Sequence, residues 1–552
     1  MAAESFHLDT QYYWVYIVSI IVSFAMAWAI GANDVANSFG TSVGSGALTM
    51  KQAVVIAWVF EFCGAFFLGG RVVETLKGGI VPPEIYVLNP SRTEFNRDGA
   101  ELLMWGMFNA LLVASTWIIL ATYYGMPIST THSIIGAIIG FSIVAKGSDS
   151  VTWYKEDPKL DMRIGGFVAI VLSWVLTPFI GAVASMIVFG FTKRVILRAS
   201  DAERRTLIAL PFYYGITALI ITFFIVYKGS PRLKLQNIGN GKATLIACGV
   251  GVGVGILAQL IGIPLARRRL DGLEERKARI EEAKARKKAI VEGPDAGSRG
   301  PAGVGAKTGV SPLLRDVENN AAEAGAQHHL SAWQRVKAWY FMIERKTVSH
   351  DLEFTEHTLG LHARAELFDE RAEELFSFLQ ILTACAAAFA HGSNDTANAI
   401  GPLSSVYSLY RGETIKPDSK KPGHLMVEKV EVESWMLAMG GIAIGLGFAV
   451  WGWRMVRNLG GAVTMMTPSR GFTAELCAAL TVVLASRFGM PISTTQTLVG
   501  ATIGVGASDN WRNVDWVLFG KFVFTWVMTI AFAGLVTAGL FAYAVYSPSI
   551  QP

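Results

Sequence analysis

Gly31-Ala-Asn-Asp-Val-Ala-Asn37 returns later in the chain as Gly392-Ser-Asn-Asp-Thr-Ala-Asn398. Each copy sets an Asp among amide side chains inside an otherwise apolar stretch. A second pair follows in the same order, Gly125-Met-Pro-Ile-Ser-Thr-Thr131 and Gly489-Met-Pro-Ile-Ser-Thr-Thr495. The offsets are 361 and 364 residues, nearly equal, so the two parts of the chain read as copies of one unit.

The surroundings of these motifs decide the solvent. Of 552 residues, 52% are hydrophobic and 16% charged, with a net charge of +5, whereas about a quarter of an ordinary soluble domain is charged. Crossing ~30 Å of hydrocarbon takes ~20 mainly apolar residues. Such runs lie near 12–30, 53–69, 102–123, 127–146, 164–192, 207–227, 243–265, 374–391, 435–453, 471–486, 491–507 and 517–546. They predict an all-α polytopic membrane protein with about twelve transmembrane segments, not a soluble protein with a helical core. The first run lacks the basic flank and small-residue cleavage site of a removed signal peptide. Seven spans separate the Asn-Asp motif from its copy. That number is odd, so the copies enter from opposite faces, as two inverted repeats. Broken or re-entrant helices are expected at the centre, with Gly31 and Gly392 easing a break, and with one shared site reached by alternating access.

Basic residues mark the cytoplasmic ends of spans. Lys193, Arg194, Arg198, Arg204 and Arg205 follow the fifth span, and a run from Arg267 to Lys288 follows the seventh. Both loops then lie inside, which puts the N- and C-termini outside. The loop with Arg411, Lys416, Lys420, Lys421 and Lys429 fits less well, although Glu413, Asp418, Glu428, Glu431 and Glu433 accompany it. The chain divides into an N-terminal membrane half (1–265), a cytoplasmic loop (266–372) and a C-terminal membrane half (373–552). In the loop, residues 270–292 alternate charges, 293–312 are a Gly/Pro/Ala linker, and Trp333, Val336, Trp339, Tyr340 and Ile343 predict a helix lying on the membrane surface. Cys63, Cys248, Cys385 and Cys477 fall in apolar runs and read as packing residues, with no disulfide or metal framework.

The chemistry sits in the repeated motifs. Proline followed by Ser and Thr opens a helix, so Ser129-Thr130-Thr131 and Ser493-Thr494-Thr495 each present unpaired N–H groups, hydroxyls and a partial positive charge. That is an anion site needing no Arg. A single such motif is equally well explained by hydroxyls bonding back to helix carbonyls; the duplication favours an anion. Asn33, Asp34 and Asn37, with Asn394, Asp395 and Asn398, offer the hard oxygens that small cations take. The alternative is a purely structural polar network, but an ionised Asp at membrane depth is by default functional. Glu61 and Glu475 are further carboxylates in apolar runs, suited to holding a proton or a cation. They do not correspond to each other, because aligning the Pro-Ile-Ser-Thr motifs sets Leu111 opposite Glu475. His132 and His391 flank the motifs without duplicates, as Gln496 and Ile30 stand opposite them. Four carboxylates would repel an anion in a low dielectric. Cations or protons must therefore enter with it, and a carboxylate accepting the anion's own proton favours phosphate over sulfate.

At these residues the chain resembles the inorganic phosphate transporter family of sodium- or proton-coupled symporters. The resemblance rests on GANDVANSFGTSVGS, GMPISTTHSIIGAIIG, AHGSNDTANAIGPLS and GFTAEL…GMPISTTQTLVG, and covers roughly 10–265 and 374–546. With YKGSPRLKL after the sixth span, it is most similar to the fungal-type high-affinity sodium/phosphate symporters. The resemblance implies twelve spans, an inverted repeat, a large cytoplasmic loop, a homodimer and a place in the plasma membrane. It implies phosphate contacts at Ser129, Thr130, Thr131, Ser493, Thr494 and Thr495, and cation and phosphate roles for Asp34, Asn37, Asp395 and Asn398. Glu61 and Glu475 become transport-critical. Sodium ions are expected as coupling ions and no other cofactor is implied. Proton coupling and a phosphate-sensing receptor without net transport are the alternatives. The chain holds no P-loop and no enzyme nucleophile, and nothing points to nucleic acid.

Overall fold

The computed structural model describes residues 12–78, 80–157, 162–228, 238–272, 356–411, 415–418, 421, 423–427, 432–459, 461–487 and 492–547. The surface helix expected around Trp333 and the 293–312 linker lie outside the described residues. Helices account for most of what is described. They are α1 (Tyr13–Asn33), α2 (Val35–Gly44), α3 (Met50–Gly78), α4 (Glu84–Val87), α5 (Arg97–Tyr123), α6 (Thr130–Lys146), α7 (Phe167–Thr192), α8 (Ala202–Lys228), α9 (Asn240–Leu257) and α10 (Ile263–Asp271). After the central stretch come α11 (Glu356–Arg364), α12 (Glu370–Arg411), α13 (Ser434–Gly447), α14 (Trp453–Leu459), α15 (Pro468–Arg487), α16 (Thr494–Asp509) and α17 (Trp516–Tyr546). Two short antiparallel strand pairs, Lys155–Asp157 with Met162–Gly165 and Ile415–Pro417 with Leu425–Val427, sit in loops. Residues 1–263 and 351–552 form one compact unit; 264–350 form a second, of which only 264–272 are described, as most of α10 and the residue after it.

Nine helices among the described residues are long and apolar enough to span a membrane, and each coincides with an expected span. The other three expected spans differ for physical reasons. α6 has 17 residues and α16 has 16, which at 1.5 Å per residue gives roughly 24–26 Å, short of the ~30 Å hydrocarbon layer. α15 has 20 residues but carries Arg470 and Glu475. The predicted helix break is only a one-residue irregularity in the first copy: Asp34, between α1 and α2, keeps a helical backbone (φ −86°, ψ −37°) and its N–H bonds to the Ile30 carbonyl. It is absent from the second: α12 runs unbroken from Glu370 to Arg411, through Gly392 and Asp395. Gly392 therefore serves packing, not a break.

That packing is reciprocal. A Cβ on Gly31 would stand 1.8 Å from the carbonyl oxygen of Ile444 in α13, and a Cβ on Gly392 would stand 2.2 Å from the carbonyl oxygen of Glu61 in α3. Each motif helix thus presses its glycine on the helix that follows the other motif. The same exchange recurs at α6 and α16. Gly140 lies against Gly534 of α17, and Gly504 lies against Ala182 of α7. Small residues at such crossings are how apolar helices associate where lipid offers no hydrophobic drive. The exchange interleaves the two halves and brings α1, α6, α12 and α16 together at the polar centre.

Candidate functional site

The site begins with two helix caps. Ser129 is extended (φ −89°, ψ 118°) and its Oγ accepts from the N–H of His132, starting α6; Ser493 (φ −85°, ψ 112°) accepts in the same way from Gln496, starting α16. Ser133 donates back to the Ser129 carbonyl and Thr497 to that of Ser493, tightening both first turns. The caps use only the oxygen as acceptor, so each Ser proton remains available for another partner. The motif amides fix the approach to these turns. Asn33 donates to Thr122 and to the Met126 carbonyl while accepting from the N–H of Ile128. Asn394 donates to the Ile492 carbonyl at 3.1 Å.

The carboxylates complete the centre. Asp34, between α1 and α2, receives hydroxyls from both helix starts: Thr130 to Oδ2 at 2.7 Å and Thr495 to Oδ1 at 2.6 Å. Asp395 receives Thr494 at 2.9 Å and the Asn394 amide at 2.8 Å. Asn398 donates to Thr130 and Thr131, both at 3.2 Å. Ser129, Thr130, Thr131, Ser493, Thr495, Asn33, Asp34, Asn394, Asp395 and Asn398 are all buried, and Thr494 is partly buried. The side chain of Asn37 lies outside the described residues.

His391 is the member whose place the sequence left open. Its Nδ1 lies 2.9 Å from Glu61 Oε2 and its Nε2 lies 2.7 Å from Asp395 Oδ2. Each ring nitrogen thus faces a carboxylate oxygen, and a proton held by either partner can bridge each contact. Glu61 thereby joins the centre through an imidazole, and one helical turn from His391 to Asp395 was the signal for it. Asp34, His391 and Asp395 offer ligand atoms all within 4.8 Å of one another. Two carboxylates at that spacing repel by about 3.5 kcal/mol at an effective dielectric near 20, so the arrangement favours a cation.

Glu475 forms a separate nest. Thr41 and Ser42 donate to its Oε1 at 2.6 Å each, Gln380 at 3.2 Å, and Thr383 donates to Oε2 at 2.6 Å. These partners come from α2 and α12, and no repeated motif announces them. The only advance signal is that polar side chains recur one turn apart, Gln380 and Thr383, in an apolar helix. His132, by contrast, turns away from the centre. Its ring packs 4.1 Å from that of Trp174, and Nδ1 faces the Trp526 carbonyl at 3.4 Å.

Apolar helices in this number, closing over buried carboxylates and two capped helix starts, define a multi-pass membrane protein with a buried polar centre. The sequence profile of the phosphate transporter family matches residues 30–537, and the chain belongs to that family. The phosphate-repressible phosphate permease pho-4 of Neurospora crassa is 30% identical, covering 97% of this chain and 98% of its own. A putative phosphate permease of Pyrococcus horikoshii is 32% identical over 96% and 97%. Sodium-dependent phosphate transporter 1 of Mus musculus is 27% identical over 97% and 95%. A solved structure titled as the sodium-dependent phosphate transporter superposes with a TM-score of 0.66 at 27% identity, covering 97% of this chain and 100% of that one. The resemblance read from the motifs thus holds along nearly the whole chain.

Proposed function

We propose that this chain imports inorganic phosphate by sodium-coupled symport with alternating access. The observation that carries the proposal is that Asp34, on the first motif, is held by a hydroxyl from each of the two helix starts. An anion seated between those starts would take hydroxyls from Ser129, Thr130, Thr131, Ser493, Thr494 and Thr495 together with first-turn N–H groups. Thr130, Thr494 and Thr495 would then turn from the carboxylates to the phosphate, while Asp34 and Asp395 accept its proton or hold sodium. Oxygens of Asn33, Asp34, Asn37, Asn394, Asp395 and Asn398 form the proposed sodium ligand set. The sodium charge offsets the repulsion between Asp34 and Asp395, so anion and cation each improve the other's binding, which is what couples them. Glu61 acts through His391, and Glu475 serves as a second cation or proton station.

The proposal includes the wider arrangement. The halves 1–265 and 373–552 act as inverted repeats joined by a cytoplasmic loop (266–372). Both termini face outside, and the protein works as a homodimer in the plasma membrane. The reciprocal glycine contacts support the repeat, and the sodium-dependent relatives support the coupling ion. Radioactive phosphate uptake into proteoliposomes, with sodium and proton gradients imposed separately, tests it. Uptake on sodium alone supports the proposal. Uptake on protons alone replaces the coupling ion, and phosphate binding without uptake under either gradient replaces transport with sensing.

A further inference from the structure

A second cleft opens far from the paired aspartates, where one end of each of three apolar helices meets. It measures about 410 Å³ and is lined by Tyr12, Trp14, Asp98, Glu101 and Trp105, over a floor that includes Val15, Leu102, Met104 and Val545. That volume lies within the roughly 300–1,000 Å³ typical of small-ligand sites. The lining comes from the start of α1, the first turns of α5 and the last turn of α17. All three are span-length helices, so the cleft sits at a membrane boundary.

Its chemistry is specific. The Trp14 and Trp105 rings lie 5.9 Å apart at 66°, packed edge to face, with Trp14 left exposed on the cleft wall. Tyr12 adds a phenol and donates to Glu101 Oε2 at 2.6 Å, while Arg97 pairs with Glu101 Oε1 at 3.1 Å. Asp98 is exposed and has no partner among the described residues. Aromatic faces with an unpaired carboxylate are the recognition elements for a quaternary ammonium, which cannot donate a hydrogen bond and is held by cation–π attraction and charge. Interfacial Trp and Tyr are ordinary at membrane boundaries; two indoles set at an angle beside two carboxylates over an apolar floor are not explained by that alone.

We infer that this cleft binds the headgroup of a choline phospholipid, with trimethylammonium against the exposed face of the Trp14–Trp105 pair and beside Asp98. A lipid is favoured over a free organic cation because the floor is apolar. Ile17 and Ile21, on α1 below the cleft, are also exposed where acyl chains would run.

Native mass spectrometry of the purified full-length protein, equilibrated with equal amounts of phosphatidylcholine and phosphatidylglycerol of matched chains, tests the inference. The wild type is expected to retain the choline lipid about tenfold over the glycerol lipid, the ratio that one desolvated cation–π contact supplies. The excess is expected to vanish in Trp105→Leu and in Asp98→Asn. Because Asp98 is exposed and outside the core, Asp98→Asn decides if Trp105→Leu does not fold. Equal retention by the wild type, or an undiminished excess in Asp98→Asn, overturns the site. Retention of free choline as tightly as of the choline lipid assigns the cleft to a free cation and overturns the lipid; retention of the lipid at concentrations where choline alone does not bind supports it.

Discussion

Thr495 donates its hydroxyl to Asp34 Oδ1 at 2.6 Å, joining residues 461 positions apart in the chain. Thr130, the counterpart of Thr494 in the other copy, donates to the second oxygen of the same carboxylate at 2.7 Å. One carboxylate is therefore shared by both helix starts, and neither half can form the centre alone.

Asp34→Asn and Asp395→Asn each keep the side-chain volume but remove the charge that a coupling cation meets. Each is expected to lower phosphate uptake by about 100-fold or more, in line with about 3 kcal/mol for a lost charge-assisted contact. Asp34→Asn should keep its fold, because an amide oxygen still accepts from Thr130 or Thr495, whereas Asp395→Asn also takes a partner from His391 and is expected to lower the unfolding midpoint. Uptake in proteoliposomes, normalised to reconstituted protein, checks this. Wild-type uptake in either variant would remove the aspartates from the mechanism.

The extent to which this centre was legible differs by residue. Nine spans were readable because each is a long apolar run, and α6 and α16 were readable as helix starts from Pro-Ile-Ser-Thr. Asp34 and Asp395 were readable because duplication marked them. The Glu475 nest was not: Thr41, Ser42, Gln380 and Thr383 reach it from elements brought together only by tertiary packing. Gly392 was misread because a glycine before a motif signals either a break or a close helix crossing. Only the structure, with α12 continuous through it, distinguishes the two.

His391 between Glu61 and Asp395 makes three buried groups one unit. Removing one member leaves its partners uncompensated in a low dielectric, at a cost of ~3–5 kcal/mol. Glu61→Gln and His391→Gln are each expected to lower the unfolding midpoint of the detergent-solubilised protein, and the double variant should unfold at a higher midpoint than the two separate losses predict. A thermal unfolding cycle measures this. Strictly additive losses would show that Glu61 and His391 do not act together.

Glu475 accepts four hydrogen bonds inside α15, all from uncharged donors. Glu475→Gln places an NH₂ among donors that already point inward, so a cation attracted by the carboxylate loses its charge partner. The expected outcome is a several-fold weaker dependence of uptake on cation concentration with phosphate binding at zero sodium unchanged. Equilibrium phosphate binding and cation-dependent uptake, measured on the same preparation, separate the two. A change confined to phosphate binding would move Glu475 into the anion site.

Gly392 gives the sharpest packing test. A Cβ there falls 2.2 Å from the Glu61 carbonyl oxygen and 2.8 Å from its Cα, both backbone atoms that no rotamer can clear. α12 must therefore move away from α3, which would displace His391 and Asp395 one and three residues away. Gly392→Ala is expected to cost at least the ~1–3 kcal/mol of an overpacked core and to lower the yield of folded protein and the uptake together. Gly253, in α9, has no atom within 4 Å of a built Cβ. Gly253→Ala should be neutral or slightly stabilising, by up to ~1 kcal/mol from helix propensity. Comparing the two in one thermal-unfolding series separates a steric clash from a general effect of alanine. If both variants unfold at the wild-type midpoint, the close crossing of α12 on α3 is not what holds the centre in register.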